Sequence, residues 1–118
     1  VECEVKGDNP EAAVLDIKGE CKITCQLKKP FSGKGIISAR PEQLFFDKEN
    51  GLPGRIVMST FLGDFIEYEV QLNDGQNLIV NEFTKDTTEI HSDGEQVHLS
   101  FDPMRISLYD KSEEVLSL

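Results

Sequence analysis

The amino-acid sequence predicts an all-β domain with a barrel-like body. Apolar and polar residues alternate with a period of two along most of the chain, turn residues separate these runs, and one strand–proline–strand pattern occurs twice. Many short strands at close spacing are typical of a small barrel or a sandwich. The 118 residues suffice for one domain that buries a sizeable core without needing disulfides or a metal.

The clearest strand is residues 66–72, in which Ile66, Tyr68, Val70 and Leu72 alternate with polar residues. Such alternation is typical of an antiparallel strand with one face in solvent. The same pattern, with less regularity, predicts strands at 2–6, 12–18, 21–27, 35–39, 43–46, 55–62, 77–83, 97–101 and 104–108. The single helical element that we expect is a turn near 84–90.

Turn residues separate these strands. Asn73-Asp74-Gly75 lies between two alternating stretches and predicts a tight hairpin. Gly63-Asp64 and Asp93-Gly94 separate further strands, and Asn50-Gly51 with Pro53-Gly54 marks the join of two halves.

An internal repeat relates these halves. The pattern of residues 37–46 occurs again at 99–108, 62 positions later. In each copy a proline, Pro41 or Pro103, stands between two strands, where it removes a ladder donor and fixes a bend. We therefore predict one domain, 1–118, made of two related segments, 1–48 and 49–118, that build a barrel.

The net charge of −10 excludes several classes of protein. Proteins that bind duplex nucleic acid carry a basic footprint, and anionic membrane surfaces repel an acidic chain. Residues 51–118 hold 13 acidic and 4 basic groups, whereas 21–41 contain five basic residues and no acidic one. That basic stretch is either a solvated face or a contact surface for an acidic neighbour.

The three cysteines cannot form a complete disulfide framework because their number is odd. Cys21 and Cys25 fall on one face of a predicted strand, together with Ile23 and Leu27. We interpret them as small buried hydrophobes in a reducing compartment. A metal site is the alternative, although the C-x3-C spacing has no second pair and no nearby histidine.

Catalytic motifs are not found in the sequence. It has neither a phosphate loop nor a G-x-G-x-x-G fingerprint, and we expect His91 and His98 to have exposed, structural roles. No residue is predicted to be catalytic, to bind a cofactor or to ligate a metal. The carboxylates are interpreted as the polar faces of strands.

Arg40-Pro41-Glu42 is the most distinctive tripeptide, and Asp102-Pro103 stands at the matching place in the second copy. We expect Arg40 and Glu42 to fix the corner by pairing with backbone or with each other. The alternative is that Arg40 faces a partner or an anion. Since Asp102 replaces Arg40 with the opposite charge, we hypothesise that two complementary corners meet.

Several motifs in this order resemble a known family: residues 37–44, Leu52-Pro53-Gly54 with the strand that follows, 61–70 and 99–103. They are similar to the C-terminal TOBE (transport-associated OB) region of the ATP-binding subunits of bacterial ABC importers of the polyamine, ferric iron and phosphonate type. The resemblance covers about 37–110 and implies an OB-like barrel of two repeated segments. In that family, the part matched by Arg40, Pro41 and Glu42 has a mainly structural role.

The resemblance also implies partners and a place in the cell. The chain begins with Val1, and we expect it to be a fragment of a longer protein whose ATPase domain, with ATP and Mg²⁺, lies outside it. It would be a non-enzymatic, regulatory and dimer-stabilising domain that contacts its own ATPase domain and a second ATP-binding subunit. Through the full-length protein it would join membrane permease subunits at the cytoplasmic face, without inserting into the membrane itself.

A free-standing OB-fold module that binds a small anion or a single nucleic-acid strand is the alternative. OB barrels bind single strands through stacking aromatics and a basic groove. This chain has the phenylalanines, but its charge opposes the electrostatics. A salt-dependent shift of single-stranded DNA would support this alternative.

The hypothesis of complementary corners predicts that Arg40→Glu destabilises the fold, because it would place two acidic groups at corners that meet. Thermal unfolding of the variant measures the effect. An unchanged melting temperature would count against the hypothesis.

Overall fold

The computed structural model describes residues 1–86 and 90–118, without the side chain of Asp86. Within these residues the chain forms ten strands, and the predicted all-β, OB-like class is confirmed. The strands are β1 (Glu2–Gly7), β2 (Ala13–Ile17), β3 (Cys21–Cys25), β4 (Phe31–Ser38), β5 (Leu44–Phe46), β6 (Leu52–Phe61), β7 (Phe65–Leu72), β8 (Asn77–Phe83), β9 (Gln96–Phe101) and β10 (Ser107–Tyr109). Short 3₁₀ turns occupy Pro10–Ala12, Pro41–Gln43 and Thr84–Asp86.

The first compact unit comprises 1–39 and 101–118. Its sheet, sheet 1, has the strand order β10-β4-β1-β2-β3, with antiparallel pairing throughout. The core face carries Cys3, Val5, Leu15 and Ile23, which are all buried. This unit therefore obtains its core from the regular alternation of β1–β3.

The second compact unit comprises 40–100 and contains sheet 2, in the order β5-β9-β6-β7-β8. Its edge strands β5 and β8 contact each other, so the sheet curls back on itself. On β7, Ile66, Tyr68, Val70 and Leu72 are all buried, as the sequence predicts. The predicted segments 1–48 and 49–118 divide the chain at a different place from these units, and that division stays a prediction.

A β-bulge interrupts the alternation of β6. The register against β7 shifts between Ile56 and Met58, so that Ile56 faces Val70 whereas Met58 faces Glu69. The extra residue, Val57, and Met58 are both exposed. A bulge adds a residue without a partner and thus resets which side chains point inward.

Both copies of the repeat have the predicted form of strand, proline corner and strand. The first copy runs from β4 through Pro41–Gln43 into β5, and the second runs from β9 through Pro103 into β10. In sheet 1, β4 pairs with β10, and in sheet 2, β5 pairs with β9. In each sheet, therefore, the first strand of one copy pairs with the second strand of the other.

The hairpin predicted at Asn73-Asp74-Gly75 is confirmed and joins β7 to β8. The N–H of Gly75 donates to the carbonyl of Leu72 at 3.0 Å. Gly75 has a φ of 89°, in the left-handed region, where glycine pays no steric penalty.

One predicted strand differs from the structure, and one predicted turn is described only in part. The strand predicted at 104–108 begins only at Ser107, because Asp102 and its followers form a turn that leaves Met104 85% exposed. Of the helical turn predicted near 84–90, residues 84–86 are a 3₁₀ turn, whereas 87–89 lie outside the described residues. In the part of the chain that is described, no helix has the length and apolar character needed to cross a bilayer.

Gly51 shows how closely sheet 2 packs beside its β5–β9 edge. A Cβ added there would lie 2.8 Å from the carbonyl oxygen of Asp47 and 2.9 Å from the backbone N and O of Leu99. All three neighbours are backbone atoms, which cannot rotate away as a side-chain end would.

We therefore expect Gly51→Ala to lower the free energy of unfolding by about 1–3 kcal/mol, the usual cost of overpacking. Urea denaturation followed by circular dichroism measures the change. The control, Thr24→Ala on the exposed face of β3, should stay within about 0.5 kcal/mol of the wild type. Equal effects of the two variants would contradict the prediction.

Candidate functional site

Two hydrogen bonds between Arg40 and Gln43 close the Arg40 corner. The backbone N–H of Arg40 donates to Gln43 Oε1 at 2.8 Å, and the N–H of Gln43 donates to the carbonyl of Arg40 at 2.8 Å. Pro41 stands at the first position of the turn, where its missing N–H costs nothing. The expected pairing of Arg40 and Glu42 at this corner stays a prediction, and the sequence interpretation did not single out Gln43. The sequence does contain a signal for Gln43: a glutamine three residues after Arg40, the residue that caps the turn, as in a capping box.

The Asp102 corner uses its own carboxylate. Asp102 Oδ1 accepts the N–H of Met104 at 3.0 Å, and the Asp102 carbonyl accepts the N–H groups of Arg105 and Ile106, each at 3.1 Å. This is the local side-chain-to-backbone bonding for which aspartate is favoured in turns. Arg40 and Asp102 belong to different compact units, and the predicted meeting of the two corners stays a prediction.

A cluster of rings in the second unit was missed by the sequence interpretation. His91 lies with its ring centroid 4.3 Å from that of Phe46 and 5.5 Å from that of Tyr68. Its backbone N–H donates to Tyr68 Oη at 3.2 Å. The expectation that His91 is exposed was wrong, because only 12% of its side chain is accessible, whereas His98 is exposed as predicted.

Glu95 orients the imidazole of His91. Its Oε2 lies 2.5 Å from His91 Nδ1, and its Oε1 accepts the N–H of Ser92 at 3.1 Å. The hydrogen bond from His91, followed by that from Ser92, holds the pKa of the Glu95 carboxyl below its usual value. With Nδ1 bound to Glu95, Nε2 is the ring nitrogen left to donate or accept.

A cavity of about 280 Å³ adjoins this cluster. Phe46 and Val97 supply apolar wall, and Lys48, His91 and His98 supply basic groups. The carboxylate of Asp47, also at the cavity, accepts the backbone N–H groups of residues 49 and 50 and so shapes the loop after β5. The volume is close to the lower end of small-ligand pockets, at roughly 300 Å³.

All three thiols are buried, as the sequence predicts for Cys21 and Cys25. Burial raises the pKa of Cys3 to about 11, and it also raises the pKa of Cys25. A thiol whose pKa is raised is largely protonated at neutral pH and reacts slowly. Among residues 1–86 and 90–118, no group of three or more His, Cys, Asp or Glu side chains could hold a metal ion.

Comparison with known proteins decides the family. The TOBE domain family matches residues 37–108, which is more than half of the chain. The chain belongs to the TOBE domain family. This confirms the resemblance carried by the motifs at 37–44, 61–70 and 99–103.

The TOBE chain is also similar to one curated protein, the Fe(3+) ions import ATP-binding protein FbpC of Agrobacterium fabrum. The two are 29% identical over 112 residues, which is 93% of this chain and 31% of FbpC. The chain thus spans about a third of the length of that relative. Arg40, Pro41, Glu42, Asp102 and Pro103 all lie inside the region matched by the family, and their structural roles stay predictions.

The His91–Glu95 hydrogen bond predicts a pH dependence of stability. Because the pKa of Glu95 is lowered in the folded chain, the bond stabilises the fold above the ordinary value of about 4.5. That contribution is lost as the pH falls through the lower, folded pKa. When the pH drops below the ordinary glutamate pKa, the melting temperature of Glu95→Gln should therefore fall less than that of the wild type.

Thermal melts of wild type and Glu95→Gln over a pH series test this. Glu49→Gln, at an exposed glutamate of the loop after β5, is the control and should behave as the wild type. The same acid profile in Glu95→Gln and wild type would contradict the prediction.

Proposed function

We propose that this chain is the TOBE domain of the ATP-binding subunit of an ABC importer of the ferric iron type. The observation that carries the proposal is the match to the TOBE family, together with similarity to FbpC along nearly the whole chain. FbpC is by its name an ATP-binding protein for the import of Fe(3+) ions.

In this proposal the domain has no catalytic role and stabilises or regulates the dimer of ATP-binding subunits. ATP and Mg²⁺ bind to an ATPase domain in the rest of the subunit, which this domain contacts. The subunit joins membrane permeases, which place it at the cytoplasmic face of the membrane. The hydrogen bonds at the Arg40 and Asp102 corners join residues two or three positions apart, which supports a structural role for these corners.

The test compares the full-length ATP-binding subunit with a version that lacks residues 1–118. We expect the truncated subunit to keep basal ATP hydrolysis while its dimers dissociate at higher protein concentration, as measured by analytical ultracentrifugation. A loss of regulation, seen as hydrolysis that no longer depends on the permeases, would support the regulatory part.

The isolated chain is the control for the non-catalytic part. We expect it neither to bind nor to hydrolyse ATP in calorimetric and phosphate-release assays. Turnover by the pure chain would overturn the proposal, as would a truncated subunit that dimerises and hydrolyses ATP as the full-length subunit does.

A further inference from the structure

Three apolar side chains form a row on the solvent face of sheet 1. Ile36 on β4 is 39% exposed, and its register partner on β10 is the half-buried Tyr109. Tyr109 in turn bridges Val115, which is 41% exposed. Because directly opposed residues of antiparallel strands share a face, the three side chains lie next to each other. Their chain neighbours Ile37 and Leu108 are buried on the core face, so the row belongs to the solvent side.

A cavity of about 420 Å³ adjoins this row. Its walls are Ile36, Ser38 and Tyr109 from β4 and β10, and Asp110 and Glu113 from the turn after β10. We call it the β10 cavity. All of these residues belong to the first compact unit. The volume lies within the usual range of ligand pockets, roughly 300–1,000 Å³.

Hydrogen bonds hold the turn that carries the two carboxylates. The N–H of Asp110 donates to the carbonyl of Glu114 at 2.9 Å, and the N–H of Glu113 donates to the carbonyl of Asp110 at 3.1 Å. Asp110 Oδ1 also accepts the N–H groups of Ser112 and Glu114, each at 2.9 Å. The turn is therefore closed before anything binds, and a partner would have little chain to order.

The β10 cavity is acidic. Among the described residues that line it, Asp110 and Glu113 are charged and none is basic. The side chain of Glu113 makes no hydrogen bond or ion pair within 1–86 and 90–118. Lys34 lies two residues before Ile36 on the same face of β4, but its cross-strand partner on β1 is Glu4. Negative charge beside an aromatic ring and an aliphatic side chain fits an organic cation.

We propose that the β10 cavity receives the guanidinium group of an arginine that a partner protein presents beside an apolar residue. The guanidinium would stack on the ring of Tyr109 and pair with the carboxylate of Glu113, while the aliphatic stem would lie on Ile36. Arginine suits this site better than lysine, because its planar guanidinium both stacks on rings and pairs with a carboxylate through two parallel hydrogen bonds. The apolar neighbour would cover Val115, which a free arginine molecule would leave exposed.

The test titrates the isotope-labelled chain with the peptide acetyl-leucyl-arginyl-leucine amide and follows the backbone amide signals. We expect shifts at 36–38 and 107–115. A matched peptide with citrulline in place of arginine keeps the shape and removes the charge. It should bind about three- to tenfold more weakly, the combined effect of an exposed ion pair and a cation–π contact. The lysine peptide should also bind more weakly than the arginine peptide.

Two pairs of variants locate the binding. Glu113→Gln should weaken binding of the arginine peptide, whereas Glu11→Gln, at an exposed glutamate of the turn before β2, should not. Tyr109→Leu should weaken binding as well, whereas Tyr109→Phe should bind as the wild type because it keeps the ring.

A third substitution at Glu113 separates binding from folding. Glu113 has a φ of 64°, in the left-handed region that favours glycine. Glu113→Gly should therefore lose binding of the arginine peptide while its melting temperature is no lower than that of the wild type.

The proposal is wrong if the citrulline peptide binds as tightly as the arginine peptide, if the amide shifts lie elsewhere on the chain, or if Glu113→Gln and Glu11→Gln bind alike. Free arginine that binds as tightly as the peptide would indicate a small-molecule ligand and overturn the assignment of a protein partner. All of these results concern binding to the isolated chain. The importer assignment is tested on the full-length subunit, so the two proposals fail independently.

Discussion

Pairing between the two copies of the strand–proline–strand pattern is the interaction on which both sheets depend. In sheet 1, Ile37 and Ser38 of the first copy face Leu108 and Ser107 of the second. In sheet 2, β5 of the first copy lies beside β9 of the second. Neither copy can satisfy its ladder hydrogen bonds alone, so the ends of the family segment must meet before either sheet is complete. Such non-local pairing is typical of slow-folding β proteins.

Edge strands then have to be protected, because unpaired ladder groups invite pairing with other chains. In sheet 1 the C-terminal residues do this: Val115 bridges Tyr109 at the end of β10, and Ser117 bridges Leu27 just after β3. In sheet 2 the two edge strands contact each other, since the sheet curls. The edge strands of sheet 1 are thus protected by the C-terminal segment, whereas those of sheet 2 are protected because the sheet curves.

The strands could be predicted from the sequence because alternation is local, and β7 is the plainest example. The site could not, since the cluster joins Phe46, Tyr68 and His91 from three separate stretches of chain. Seven positions separate His91 from His98, and nothing in that spacing tells which one packs on aromatic rings. Met104 was misassigned because it continues an apolar alternation, although the aspartate two residues before it holds a turn. Gln43 was overlooked because a single capping residue carries little signal by itself.

The limits of the family match have a structural reason. The match begins at Ile37 and ends at Leu108, and these two residues are cross-strand partners in sheet 1. The segment between them contains both proline corners and every strand of sheet 2. Strands β1–β3 and most of β4 lie outside it, which explains why residues 1–36 fit the barrel but carry no family signature. The part of the chain that the family matches therefore contains the whole of sheet 2 together with the paired ends of β4 and β10 in sheet 1. The rest of sheet 1 pairs onto β4 through β1, and its strands β1–β3 alternate buried and less buried residues, a pattern that sets register without any particular motif.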